Sequence, residues 1–387
     1  MSGDLNDLLS THVGNGNGTV PGAVAVVARG DNLELAVAGS VDVEGTAPMA
    51  RDTIFRIASL TKQVTAAGMM LLLEGGQVGL DDPIGKWLPE LAEPVVVRTP
   101  GSPVDDVVPA VRPITVEHVL SSRAGWGFPS DFTLPAIGLI FEVQKSGLDP
   151  QHVDPPDAWL AALSRVPLLY QPGEAWLYNT CSDLQGLLIS RVTGQSLPDF
   201  LAERLFEPLG MADTGFAVPA GKLGRFTSMY RNAPDGGGPA LADAPDGQWS
   251  SLPAFPSGAG GLVSTADDWL RFARMLLAGG AHEGRRVLST ESLRHMTTDH
   301  LTRAQRDLGE LFLDGQGWGY GGSVDLAPTR PWNQPGRYGW TGGSGTSAYI
   351  SPASGTISLL LTQVAMDSPE APPVMRDFWT YIGRGGS

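Results

Sequence analysis

The chain has 387 residues, of which 42% are hydrophobic and 17% charged. That balance is globular and excludes disorder, collagen or a coiled coil as a description of the whole. Twenty-six basic residues against forty-one acidic ones leave a formal charge of -15, a surface that repels nucleic acid and anionic membrane. The single cysteine, Cys181, excludes an internal disulfide. No stretch reaches the roughly eighteen apolar residues that a membrane span needs. The start, MSGDLNDLL, lacks the basic-then-apolar order of a secretory leader. A cytoplasmic location is therefore expected, and under it the acceptor triplet Asn17-Gly18-Thr19 carries no meaning.

Residues 1–12 suit a short helix. Two apolar, β-branched runs at 20–28 and 33–40, around Arg29-Gly30-Asp31-Asn32, read as a β-hairpin. Residues 53–57 form an extended lead into a helix over 59–75, in which Leu60, Val64, Ala67, Leu71 and Leu72 share a face. Ser59 suits its N-cap or first turn, and Gly75-Gly76 ends it. Residues 91–113 show no period and read as loop. A helix opens at Ile114, with Thr115 as cap. The stretch from 125 to 156 is rich in glycine, proline and aromatics. It holds a helix at 136–145 and suits a lid or pocket wall, against the alternative of a plain surface excursion.

Helices follow at 157–166, 181–193 and 197–207, then a second loop-rich region at 222–256 containing Gly236-Gly237-Gly238. Residues 264–278 are a well-marked helix, capped by Ser264 or Thr265, with Asp267 and Asp268 where the helix dipole favours them. The C-terminal third changes period. Strands are expected at 317–323, 337–342, 346–351 and 356–364, and a last helix at about 370–382 covers the sheet. The simplest closure is an α+β fold: residues 1–75 and 258–387 build one sheet domain from both chain ends, and residues 76–257 form a mostly helical, loop-rich lobe. An active site between the two is expected.

The six histidines show no paired ligand spacing, so no metal or other cofactor is expected. The common G-x-S-x-G elbow is absent. What remains is Ser59-Leu60-Thr61-Lys62. Lys62 sits in an otherwise apolar helix, and i,i+3 spacing puts its amine beside Ser59. A buried lysine there can accept the serine proton. The alternative is an N-cap serine with a lysine reaching to the surface. Tyr178, in Pro172-Gly173-Glu174-Ala175-Trp176-Leu177-Tyr178-Asn179, stands at a loop-to-helix junction where its hydroxyl can enter a cleft. The other reading is a core tyrosine. The small residues of Gly339-Trp340-Thr341-Gly342-Gly343-Ser344-Gly345-Thr346 let a substrate approach a strand edge and meet an N–H donor, unless they are simply a glycine-rich turn.

Taken in order, these segments resemble the penicillin-recognising serine hydrolase superfamily: class C β-lactamases, D-alanyl-D-alanine carboxypeptidases and family VIII carboxylesterases. Phe55-Arg56-Ile57-Ala58-Ser59-Leu60-Thr61-Lys62, Leu80-Asp81-Asp82-Pro83-Ile84, Ile114 to Leu120, Tyr170-Gln171-Pro172-Gly173 with Tyr178, Phe206 to Met211 and Gly260 to Thr265 carry the likeness. The resemblance implies that Ser59 is the acylated nucleophile. It further implies that Lys62 and Tyr178 form the base system, and that the N–H groups of Ser59 and Gly343 form the oxyanion hole.

Two departures shape the expected substrate. The family's K/H-T-G pattern here reads Trp340-Thr341-Gly342, which removes a cation that would hold a carboxylate and offers an apolar wall instead. A tryptophan at that place is similar to family VIII esterases. The asparagine found two residues after the tyrosine in β-lactamases is replaced by Thr180, with Asn179 displaced to the position between. The expected activity is hydrolysis of small or apolar carboxylic esters. The rivals are a β-lactamase or D-amino-acid peptidase or amidase, an acyltransferase, and a non-catalytic ligand-binding protein. Trp340, Thr341, Gly342, Asn179, Trp126 and Trp176 are expected to contact substrate, with Phe128 and Trp249 as further wall candidates. The expected partner is a small-molecule ester, and the expected state a monomer or small homo-oligomer.

Overall fold

The computed structural model describes residues 4–14, 20–145, 147–233 and 238–385. The Asn17 triplet and Gly236-Gly237 lie outside the described residues. At the centre is a seven-stranded antiparallel sheet. In chain order its strands are β1 (Gly22–Arg29), β2 (Asn32–Gly39), β3 (Gly317–Trp318), β4 (Ser323–Val324), β5 (Tyr338–Gly342), β6 (Thr346–Ser351) and β7 (Thr356–Thr362). Across the sheet they run β3-β4-β5-β6-β7-β1-β2. The first hairpin therefore continues the last strands: β1 pairs with β7, from Ala23 opposite Thr362 to Arg29 opposite Thr356.

Burial explains why β1 reads as an unbroken apolar run. Val24, Val26 and Ala28 face one core, while Ala23, Ala25 and Val27 face another. A strand covered on both faces has no polar side to alternate with. One cover is made by helices α1 (Leu5–His12) and α6 (Pro373–Arg384), through Leu5, Leu9, Phe378 and Trp379. The other face packs against α5 (Ala266–Leu277), and its core runs on into α2 (Thr61–Glu74), α3 (Pro135–Gln144) and α4 (Thr180–Thr193). Every residue of α2 from Thr61 to Leu72 is buried. The expected α+β architecture, an antiparallel sheet flanked by helices, is what the chain forms.

The structure departs from the sequence reading in its short elements. Residues 91–113 contain a hairpin of Val95–Val97 with Val107–Pro109, and residues 222–256 contain one of Met229–Asn232 with Pro239–Asp243. Strands of three to five residues are too short to establish a period. Helices at Thr290–Met296, Arg303–Leu308 and Glu310–Leu313 were not anticipated, although Thr302 and Gln305 form a capping box.

Two loop regions converge on the segment ahead of α2. Arg56 pairs with Asp243 at 2.5 Å, both side chains buried, and lies over the Phe226 ring. This pair ties the 222–256 region to the strand that leads into Ser59. On the other side, Ser344 Oγ donates to the Arg56 carbonyl at 2.6 Å and Thr346 Oγ1 to that of Ile57 at 3.1 Å. A Cβ on Gly342 would stand 2.5 Å from the Ile57 carbonyl oxygen. Only glycine lets the β5 edge approach so closely.

Candidate active site

Ser59 does not cap α2. It stands in the middle of a 3-10 turn, Ala58–Leu60, that precedes the helix. Ala58 has φ +44, a left-handed conformation that costs a non-glycine residue on the order of 1 kcal/mol or more. The hydrogen bonds on Arg56 and Ile57, and Ile57 N–H to the Leu262 carbonyl at 3.0 Å, hold the turn in place.

One helical turn on, the Lys62 amine lies 3.0 Å from Ser59 Oγ, 2.7 Å from Asn179 Oδ1 and 2.7 Å from the Ala259 carbonyl oxygen. Its side chain is buried rather than reaching to the surface. Burial lowers its pKa to about 7, against the opposing pull of the Asp183 carboxylate. Tyr178 donates its hydroxyl to Ser59 Oγ at 2.8 Å and accepts from the Trp340 indole N–H at 2.8 Å. Burial raises its pKa to about 12, and the hydrogen bonds with Ser59 and Trp340 oppose that rise. The Lys62 amine also sits 4.6 Å from the centre of the tyrosine ring.

Three further groups complete the site: Asn179, which the sequence placed against substrate, and Gln144 and Asp183, which it did not single out. Asn179 adopts φ +84 and ψ -67, which turns its amide back toward Lys62. Gln144, the last residue of α3, accepts from Asn179 Nδ2 at 2.9 Å and donates to Thr180 Oγ1 at 2.5 Å. The amide displaced in sequence is thus present in the site, with its oxygen on the lysine. Asp183, in the first turn of α4, accepts from Ser257 Oγ at 2.6 Å and from Ala259 N–H at 3.1 Å. Burial raises its pKa, while Ser257, Lys62 and Ala259 N–H act the other way. It also anchors the residue whose carbonyl holds Lys62. A buried acid in a first helical turn was the available clue.

Ser59, Asn179, Asp183, Ala259 and Gly343 share the wall of a cavity of about 850 Å³. Phe128, Phe141, Val153 and Trp249 line it as well, so the 125–156 stretch is a pocket wall. Gly343 gives its carbonyl to Met366 N–H at 2.8 Å, and among the described residues no backbone bond takes its own N–H. The remaining expected contacts fall elsewhere. Trp126 is a core residue whose indole donates to the Val166 carbonyl at 2.8 Å. Trp176 is fully buried between Tyr178 and Trp318, at 5.9 and 5.2 Å. Neither lines the cavity, since large aromatics are drawn to the interior wherever a loop folds under. Trp340 is 4% exposed and stands behind Tyr178 rather than in the cavity wall. With Thr341 it edges a second, polar cavity of about 470 Å³. Gly342 is buried against Ile57.

A strained serine turn, a buried amine, a tyrosine and a glycine edge brought into one cleft define a serine hydrolase of the penicillin-recognising, β-lactamase-like superfamily, and the chain belongs to it: the Beta-lactamase family model matches residues 6–374. Among curated relatives, Protein Rv1367c of Mycobacterium tuberculosis is 39% identical over 90% of this chain and 87% of its own length. Esterase EstB of Burkholderia gladioli is 31% identical over 91% and 88%. Among solved structures, EstCE1, described as a hydrolase with promiscuous acyltransferase activity, superposes with a TM-score of 0.76 at 25% identity, covering 97% of each chain. No helix of the described residues is long and apolar enough to cross a membrane.

Proposed function

We propose that the chain is a serine carboxylesterase that hydrolyses apolar carboxylic esters through an acyl-enzyme on Ser59. The observation that carries this reading is the position of Ser59 Oγ, between Lys62 Nζ at 3.0 Å and Tyr178 Oη at 2.8 Å. Two acceptors, Asn179 Oδ1 and Ala259 O, engage two N–H groups of the lysine. A neutral amine held in this way has its lone pair left for the serine hydroxyl. With a pKa near 7 that neutral form is accessible, whereas Tyr178, near 12, keeps its proton. Lys62 is therefore the base and Tyr178 the acid.

In the first step Ser59 Oγ bonds to the ester carbonyl carbon and its proton moves to Lys62. The N–H groups of Ser59 and Gly343 receive the oxyanion, and one such donor is worth about 3 kcal/mol. As the carbon–oxygen bond breaks, Tyr178 gives its proton to the leaving alcohol and regains one from the lysine. Water repeats the sequence in reverse and frees the acid. Transfer to an alcohol in place of water uses the same intermediate. That second reading is favoured by the description of EstCE1, and product analysis with added alcohol separates the two.

The test compares p-nitrophenyl butanoate with nitrocefin and follows the protein by intact-mass spectrometry. The expected result is an ester-dependent acyl adduct on Ser59, lost in Ser59→Ala together with several orders of magnitude in kcat. Full activity in Ser59→Ala, or a wide preference for nitrocefin, overturns the reading.

A further inference from the structure

The cavity beside Ser59 is much larger than a short ester requires. At about 850 Å³ it approaches the upper range of sites that enclose drug-sized ligands. An acetyl or butanoyl group would leave most of it to water. Its mouth is also unusual in composition. Phe141, on α3, lines the cavity yet is 48% exposed, and neighbouring Phe132 is 40% exposed. Their rings stack at 6.0 Å; Phe128 stacks on Phe132 at 5.8 Å and meets Phe141 at 4.7 Å with the planes tilted by 36°. Ser130 fixes this cluster by donating to the Leu308 carbonyl at 2.8 Å and accepting from Leu311 N–H at 3.1 Å. An exposed aromatic cluster held in place at the edge of a largely apolar cavity matches a flat apolar ligand.

The cavity wall contains Ser59, Gly343 and Ala259 but neither Tyr178 nor Trp340. The leaving alcohol must face Tyr178 to receive its proton. The half of the ester that extends into the cavity is then the acyl half.

We infer that the preferred substrates carry a bulky, flat, aromatic or fused-ring acyl group, which lies along Phe141 and Phe128 and fills the cavity beyond Ser59. This inference rests on the ester-hydrolase reading above and narrows it to one substrate class.

The acyl series holds the leaving group constant, and a second series varies it. Acetyl, butanoyl, 3-phenylpropanoyl and 3-(2-naphthyl)propanoyl esters of p-nitrophenol are compared with acetyl esters of phenol and 2-naphthol. The expected kcat/KM rises at least tenfold from acetyl to naphthylpropanoyl. Phe141→Ala lowers the naphthylpropanoyl-to-acetyl ratio at least fivefold, and Phe141→Trp preserves it. Phe141 is exposed enough that both variants should fold, which circular dichroism checks. A flat acyl series, a preference that follows the alcohol instead, or a Phe141→Ala variant that lowers both esters equally overturns the inference. If Ser59-dependent turnover of the acetyl ester persists while acyl bulk has no effect, the esterase reading stands and only this inference falls. If no ester is turned over, both fall.

Discussion

Trp340 Nε1 and Tyr178 Oη lie 2.8 Å apart, with the indole donating. The bond occupies a lone pair of the phenol and leaves its proton directed at Ser59. The residue that breaks the K/H-T-G pattern is thus a support for the tyrosine. Trp340→Phe keeps the ring and removes the donor. A neutral hydrogen bond of about 1 kcal/mol corresponds to a loss of roughly fivefold in kcat. Steady-state kinetics on one ester checks this, and an unchanged kcat removes the indole from the argument. The sequence suggested that lysine at this position would attract carboxylate-bearing substrates. Because Trp340 is buried behind Tyr178, Trp340→Lys places an ammonium among rings, and activity should fall on charged and neutral esters alike.

The pH dependence follows from the same assignment. A lysine base must be neutral to act, so kcat/KM should rise with pH through about 7 and level off below the tyrosine value near 12. A profile that falls as pH rises through 7 would mean that the charged lysine is the active form.

Asp183 tunes that limb. Its carboxylate favours the ammonium form of Lys62. Asp183→Asn removes the charge and can keep an acceptor for Ser257 and Ala259 N–H. The acidic limb should move to lower pH, and a shift the other way would contradict the electrostatic role.

Stability offers an independent check on how the site is braced. Asp243→Ala strands Arg56 in the interior and should cost about 3–5 kcal/mol. Asp267→Ala breaks the exposed pair with Arg51 and should cost under about 1 kcal/mol. Denaturant midpoints of the two variants give the comparison, and equal losses would refute it.

Ser59, Lys62 and Tyr178 were legible because each stands out from its local pattern: a lysine in an apolar helix, a serine one turn before it, a tyrosine at a junction. The sheet was legible in its longer strands for the same reason. Gln144 and Asp183 were not, because their partners lie far away in sequence or depend on the unusual backbone of Asn179. Trp126, Trp176 and Trp340 show the opposite difficulty. Trp126 and Trp176 lie in loops without a period, and for Trp340, on β5, the strand pattern does not say that its face meets Tyr178 rather than the cavity.

The joining of β1 to β7 has a consequence for synthesis. A ribosome delivers Ser59 and Lys62 early, yet β5 with Trp340, the turn with Gly343 and the strand β7 that closes the bare edge of β1 emerge last. At about 5–20 residues per second, the nascent hairpin waits many seconds with an unpaired flank, open to chaperones and to strands of neighbouring chains. A fragment ending between Lys62 and Thr356 keeps Ser59 but leaves that flank uncovered, so assembly of the sheet, rather than synthesis of the serine, sets when the protein is complete.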